Sequence, residues 1–203
     1  LNPPPVPIRF LEPAEAWRPD GVSPVEWAAT PEGDRVACWM ETHAGLAIET
    51  EGQNRGPWAR YFLRGDEGLP YCAAALLRAI EACGASMPPG DPKKFGKRWG
   101  SYYPNRSVKA WEANAKRAGT WMGPAVPPWR GCLMFHATRR GSDAGPGRHI
   151  DIVTEYRAGE RAISVIGANV GDTIKRRTFR LGHPQITGFG SIGPSVSTLR
   201  GAA

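Results

Sequence analysis

The sequence predicts an α+β fold, with helices in the first part of the chain and an antiparallel sheet in the last third. Three observations carry that prediction. Helical spacing of apolar residues, punctuated by Ser-Pro and Thr-Pro starts and by glycine stops, runs through residues 21–117. Period-two alternation, in segments of seven to nine residues, occupies 132–181. There is no internal repeat, and helices grouped ahead of strands mark a fold whose element types are segregated.

Residues 1–20 form an extended arm, because "NPPPVP" favours polyproline II and Pro13 and Pro19 interrupt any helix. Ser23-Pro24-Val25-Glu26 is a capping-box start with proline at the first helical position. Thr30-Pro31 opens a second helix in the same manner; its Val36, Trp39 and Met40 recur at helical spacing until Gly45 stops it. His43 lies on that stripe and reads as a core histidine. A short helix from Trp58 to Leu63, the turn "RGDEGLP" and a helix from Cys72 to Cys83 follow, the last ended by Gly84. Residues 85–131 read as a basic, aromatic insertion with one helix, Val108 to Arg117. The strands are "CLMFHAT", "RHIDIVTEY", "RAISVIGAN" and "IKRRTFRL", and the Gly/Pro/Ser-rich residues 182–203 read as a tail. The domain proper is therefore expected to span 21–181.

An apolar fraction of 41% in 203 residues is enough for one real core. The 20 prolines and 25 glycines point to a loop-rich architecture, and eight tryptophans are enough to line a groove as well as a core. A formal charge of +7 favours a polyanionic partner: nucleic acid, an acidic membrane surface or bacterial cell wall. The four cysteines, Cys38, Cys72, Cys83 and Cys132, lack CxxC or Cys/His spacing, which argues against structural zinc. No apolar run approaches the ~20 residues of a membrane span. The opening "LNPPPVPIRF" has no basic segment followed by an apolar one, so no signal peptide is expected.

In "GLPYCAAALLRAIEACG" a cysteine stands at the first turn of a helix built to be buried. Buried cysteines are usually inert packing, and Cys83 reads that way. Cys72 has a second reading. At a helix start the unpaired N–H groups and the positive end of the helix dipole favour a thiolate, and the same groups can donate to an oxyanion in acyl transfer. Ala73, Ala74 and Ala75 leave the entrance clear, while Leu76, Leu77 and Ile80 anchor the helix.

A thiol nucleophile needs a base. His183 precedes a proline in the tail, which argues against it; His136 ends an apolar strand and stays a competitor. His149 opens a strand on which His149, Asp151 and Val153 share one face and Ile150, Ile152 and Thr154 the other. If Ala158-Gly159-Glu160 is a three-residue turn, Arg157 pairs with Arg161 and His149 falls opposite Asn169 on the same face. A two-residue turn shifts the register and parts them. An amide there would hold the imidazole ring and its tautomer; the other reading of "ANVGD" is a plain turn.

"EGQNRGPWARYFLRGDEGLPYCAAALLRAIEACG" resembles the nucleophile segment of the CHAP and NlpC/P60 superfamily of papain-like cysteine hydrolases, in which "GNNRGP" leads to "WCAAFV". "PPWRGCLMF" is similar to the family strand "P..GDIVVF", "RHIDIVTEY" to the strand "HVGIVV" that carries the catalytic histidine, and "ISVIGANVGDTIKRRTF" to the segment supplying the third polar group. The likeness covers roughly residues 45–181 in order. It implies a papain-like fold with Cys72 as nucleophile, His149 as general base and acid, and Asn169 as orienting residue. Several positions depart from the family pattern. Gly167 stands where many members have Glu, Ile150-Asp151 follows the histidine where a small residue is usual, Tyr71 replaces Trp, and Arg130-Gly131-Cys132 lacks the usual Asp. What the resemblance implies is hydrolysis of an amide bond in peptidoglycan, in the stem peptide or at its link to muramic acid, with no metal or organic cofactor.

Lys93–Arg117 carries eight Lys/Arg interleaved with Phe95, Trp99, Tyr102, Tyr103 and Trp111. Such a stretch can stack on sugars or bases and meet acidic groups, or pack its rings onto the core. In a papain-like fold it would border the substrate groove, which makes Trp99, Tyr102, Tyr103, Tyr71 and Asp151 the expected substrate-binding residues. The leading expectation is a wall hydrolase acting outside the cytoplasm or from a phage virion, with peptidoglycan as partner and the arms docking to tail or virion proteins. A virion or scaffold protein keeping the fold without activity is the alternative. Nucleic-acid binding stands third, because no nucleic-acid fingerprint is present.

Overall fold

In the computed structural model, which describes residues 17–46, 50–86, 107–138 and 147–192, helices precede a five-stranded antiparallel sheet, an α+β architecture. The helices are α1 (Pro24–Ala29), α2 (Glu32–Thr42), α3 (Pro57–Phe62), α4 (Cys72–Ala82) and α5 (Val108–Arg117). The strands are β1 (Leu133–Thr138), β2 (Gly147–Arg157), β3 (Ala162–Gly167), β4 (Lys175–Arg180) and β5 (Ile186–Gly190), in the order β4-β3-β2-β1-β5.

Local chemistry accounts for the helix ends. The Ser23 hydroxyl accepts from the Glu26 N–H while the Glu26 carboxylate accepts from the Ser23 N–H, closing the expected capping box. Thr30 instead caps the C-terminus of α1, and Pro31 itself is the N-cap of α2. The α2 helix ends at His43, whose ring stacks on Trp39 with centroids 3.9 Å apart and whose Nδ1 bonds to the Trp39 carbonyl. His43 is half-buried within an aromatic cluster that includes Trp17 and Trp58.

The sheet has two apolar faces. Leu133, Phe135, Ile150, Ile152 and Ile166 pack with α2, α4 and Trp111 of α5. Met134, Val153, Ile163, Val165 and Phe189 pack on the other side with Met122 and Cys132. Leu76, Leu77 and Ile80 of α4 are fully buried. Each contributes about 1.5–3 kcal/mol relative to an exposed side chain, which fixes α4, and with it Cys72, against the sheet. No helix among the described residues is long and apolar enough to cross a membrane.

Two boundaries differ from the sequence expectation. Residues 186–190, read as tail, form β5 and pair with β1. Glycines at 188 and 190 look like linker composition, yet they permit close packing: a Cβ at Gly188 would lie 2.2 Å from Trp121 Cζ2. The described part of the 85–131 segment is core rather than a separate insertion. Its Val108, Trp111 and Ala115 are buried, and Met122 bridges to Phe189. The far side of the predicted N-terminal arm is anchored too, with the Trp17 N–H donating to the Ala82 carbonyl at 2.6 Å.

Candidate active site

Tyr71 is the N-cap of α4, and its side chain forms no cap. The first intrahelical bond of this turn runs from the Ala75 N–H to the Tyr71 carbonyl at 2.8 Å. The N–H groups ahead of it have no intrahelical acceptor. Cys72 is the first residue of that turn and is 5% exposed. The Cys72 thiol lies within hydrogen-bonding reach of the His149 ring, so the sulfur and the imidazole that the sequence paired are neighbours.

His149 belongs to a line of polar side chains on one face of β2. The pairs His136↔His149 and Met134↔Asp151 put His136 on that same face, and Val165↔Arg177 puts Arg177 there from β4. Asp151 is completely buried among them. One of its oxygens, Oδ1, lies 3.2 Å from His149 Nε2. The approach is an ion-pair contact off the N–H direction, since Nε2 has no aligned hydrogen-bond partner. The other oxygen, Oδ2, is 3.0 Å from His136 Nε2. Arg177 Nη2 reaches both, at 2.8 and 2.7 Å.

These contacts set the charges. Burial pulls the His149 ring toward the neutral form, but the Asp151 carboxylate and Cys72 outweigh it, and its pKa rises from 6.5 to about 9. Burial by itself would raise Asp151. The opposing charge of His149, the His136 bond and Arg177 together hold it well below the usual carboxylate range. By contrast, burial pushes Cys83 up to about 12, in keeping with a packing role.

The orienting residue expected from sequence is not the one that meets the histidine. β3 ends at Gly167, and Asn169 lies past that end in a left-handed conformation, φ 61°. Among the described residues it makes no hydrogen bond to His149. Arg157 pairs with Ala162 rather than Arg161, so the turn is one residue longer than expected. A bulge at Thr154 then takes that residue back, and Val153↔Val165 and Ile152↔Ile166 fall in the expected register. The pairing would have placed Asn169 opposite His149 had the strand continued. Instead Asp151 supplies the polar partner, two residues along the histidine's own strand. Gly167 makes room for it: a Cβ there would sit 1.8 Å from Asp151 Oδ1.

Of the expected substrate-binding residues, Tyr71 is buried and stacks on Phe62 with centroids 5.5 Å apart, and Asp151 faces the interior. Both correct the reading, since neither side chain is open to a substrate. Trp99, Tyr102 and Tyr103 lie outside the described residues. His136 and Arg177 are the members that sequence reasoning left out of the site. His136 was legible from the β1–β2 pairing; Arg177 lies in a basic run whose inward position needs the β3–β4 register.

His136, His149 and Asp151 offer three ligand atoms within 4.8 Å of one another, a donor set of the kind that takes a divalent ion. The Arg177 guanidinium bonds to two of the three, so a metal fits only where that side chain withdraws. Comparison with protein-family models, with curated proteins and with solved structures finds no match to this chain.

Proposed function

We propose that the chain is a papain-like cysteine hydrolase of the CHAP and NlpC/P60 kind that cleaves an amide bond of peptidoglycan. The observation that carries this reading is the Cys72 thiol at an uncapped helix start, within reach of an imidazole that a buried carboxylate keeps protonated. With His149 Nε2 turned to Asp151, Nδ1 is the nitrogen left for the thiol. The thiolate attacks the amide carbonyl, forming a C–S bond, and the first-turn N–H groups donate to the oxyanion. His149 gives its proton to the departing amine as the C–N bond breaks. A water, deprotonated by the now neutral ring, then attacks the thioester; a C–O bond forms, the C–S bond breaks, and the proton returns to the Cys72–His149 pair. Peptidoglycan is the substrate class because the motif order resembles that superfamily and because its carboxylates suit a chain of charge +7.

The low exposure of Cys72 and His149, 5% and 7%, favours a second reading: a virion or scaffold protein that keeps the constellation closed. One experiment separates the two. The hydrolase alkylates selectively at Cys72 near neutral pH and clears purified cell walls, and Cys72→Ala loses the clearing to background, a drop of about 10³-fold or more. Full clearing by Cys72→Ala rejects the mechanism. A native chain that neither labels nor clears is the scaffold.

A further inference from the structure

We propose that Arg177 is a positioning residue for the Cys72–His149 pair, acting through Asp151 as the built-in cation of the polar cluster. The inference rests on the hydrolase reading for its consequence and on geometry for its content.

The β4 strand is basic along its length, with Lys175, Arg176, Arg177 and Arg180, and of these Arg177 carries its guanidinium to the buried cluster. Its guanidinium stands over the Phe179 ring, with Cζ 5.5 Å from the ring centroid. Nη2 lies 2.8 Å from Asp151 Oδ1, 2.7 Å from Asp151 Oδ2 and 3.0 Å from His136 Nε2. It donates to both carboxylate oxygens, while His136 Nε2, 3.0 Å from Oδ2, bonds to the same carboxylate.

The consequence concerns competition for the carboxylate. His136 Nε2 stands 3.0 Å from Asp151 Oδ2, and His149 Nε2 stands 3.2 Å from Oδ1. The guanidinium, bonded to both oxygens, fixes the carboxylate between the two rings, so that Oδ1 stays at His149, the ring facing Cys72, instead of turning wholly to His136. Arg177 touches neither the sulfur nor a substrate; it sets the orientation of groups that do.

One measurement tests this, and it needs no cell-wall substrate: the rate of Cys72 alkylation by iodoacetamide in the native chain, Arg177→Ala and Arg177→Lys, with millimolar guanidinium chloride added back. Arg177→Ala should be alkylated about 10-fold more slowly, added guanidinium should restore most of the rate, and Arg177→Lys should stay within about threefold of native. An alanine variant as fast as the native chain overturns the inference, and so does a loss that neither lysine nor guanidinium repairs. Should the alanine variant fail to fold, Arg177→Gln, which keeps a donor without the charge, takes its place with the same expected loss and the same rescue. A native chain with no selective Cys72 alkylation overturns the hydrolase reading, whereas a native chain that alkylates beside an equally fast variant overturns this inference alone.

Discussion

The carboxylate of Asp151 decides what His149 can do. An unpaired, buried imidazole would be neutral at pH 7 and useless as the acid for a leaving amine. Burial does act in that direction, but Asp151 and Cys72 reverse it and carry the ring to about 9. Activity of a thiolate–imidazolium pair should therefore persist through neutral pH and fall as pH rises through about 9, where His149 releases its proton. Asp151→Asn removes the largest raising influence while keeping shape. Its alkaline limb should move down toward the ordinary 6.5, and kcat should drop by about 10²–10⁴-fold, as when a triad loses its orienting acid. The pH dependence of kcat/KM for the two proteins checks both effects. A limb that stays at the same pH in Asp151→Asn would assign the orienting role elsewhere, with Asn169 the next residue to change.

Elements in this chain are held by close approaches that composition disguises. β5 lies at the sheet edge beside β1, and its Gly188 sits where a Cβ would meet Trp121 Cζ2 at 2.2 Å and the Met122 carbonyl oxygen at 2.6 Å. Gly188→Ala should displace β5 or the indole and cost about 1–3 kcal/mol, read as a lower urea midpoint with an unchanged m-value; an unaltered midpoint would mean that the edge yields freely. The same residue explains why the strand escaped sequence reading, since two glycines within five residues resemble a tail until their neighbours are known. Elements with strong local signals were legible: the capping box of α1, the apolar stripe of α4 and α5 at its observed bounds, because their causes lie within a few residues. The site was half legible. Cys72 and His149 follow from a helix start and a strand face. The third group depended on a bulge at Thr154 and on where β3 stops, neither of which has a nearby cause. Arg177 depended on a pairing two strands away from the histidine.

At the scale of the whole molecule, buried titrating groups shape stability against pH in a definite order. The folded-state pKa of Asp151 is depressed, so its contribution is present above the ordinary value of 3.8 and is lost as pH falls toward its folded value. A chain already carrying +7 gains more positive charge in acid, and self-repulsion adds to that loss. On the other side, the folded-state pKa of His149 is raised, so its contribution is complete below 6.5 and disappears as pH rises through about 9. Cys83 and Cys132 extend the decline. Each is raised by burial from 9.0 to about 12, so the unfolded chain ionises these thiols first, and stability falls further across that interval. The urea midpoint should therefore be highest between about pH 4 and 6.5 and should decline in two stages, first between 6.5 and 9 and then above 9. Cys83→Ala with Cys132→Ala should lower the whole curve by leaving cavities but flatten its second stage, while Asp151→Asn should flatten the first. A midpoint that holds constant from pH 6 to 9 in the native chain would mean that the folded state gains nothing from the His149 proton, and the charged His149–Asp151 pair would have to be abandoned.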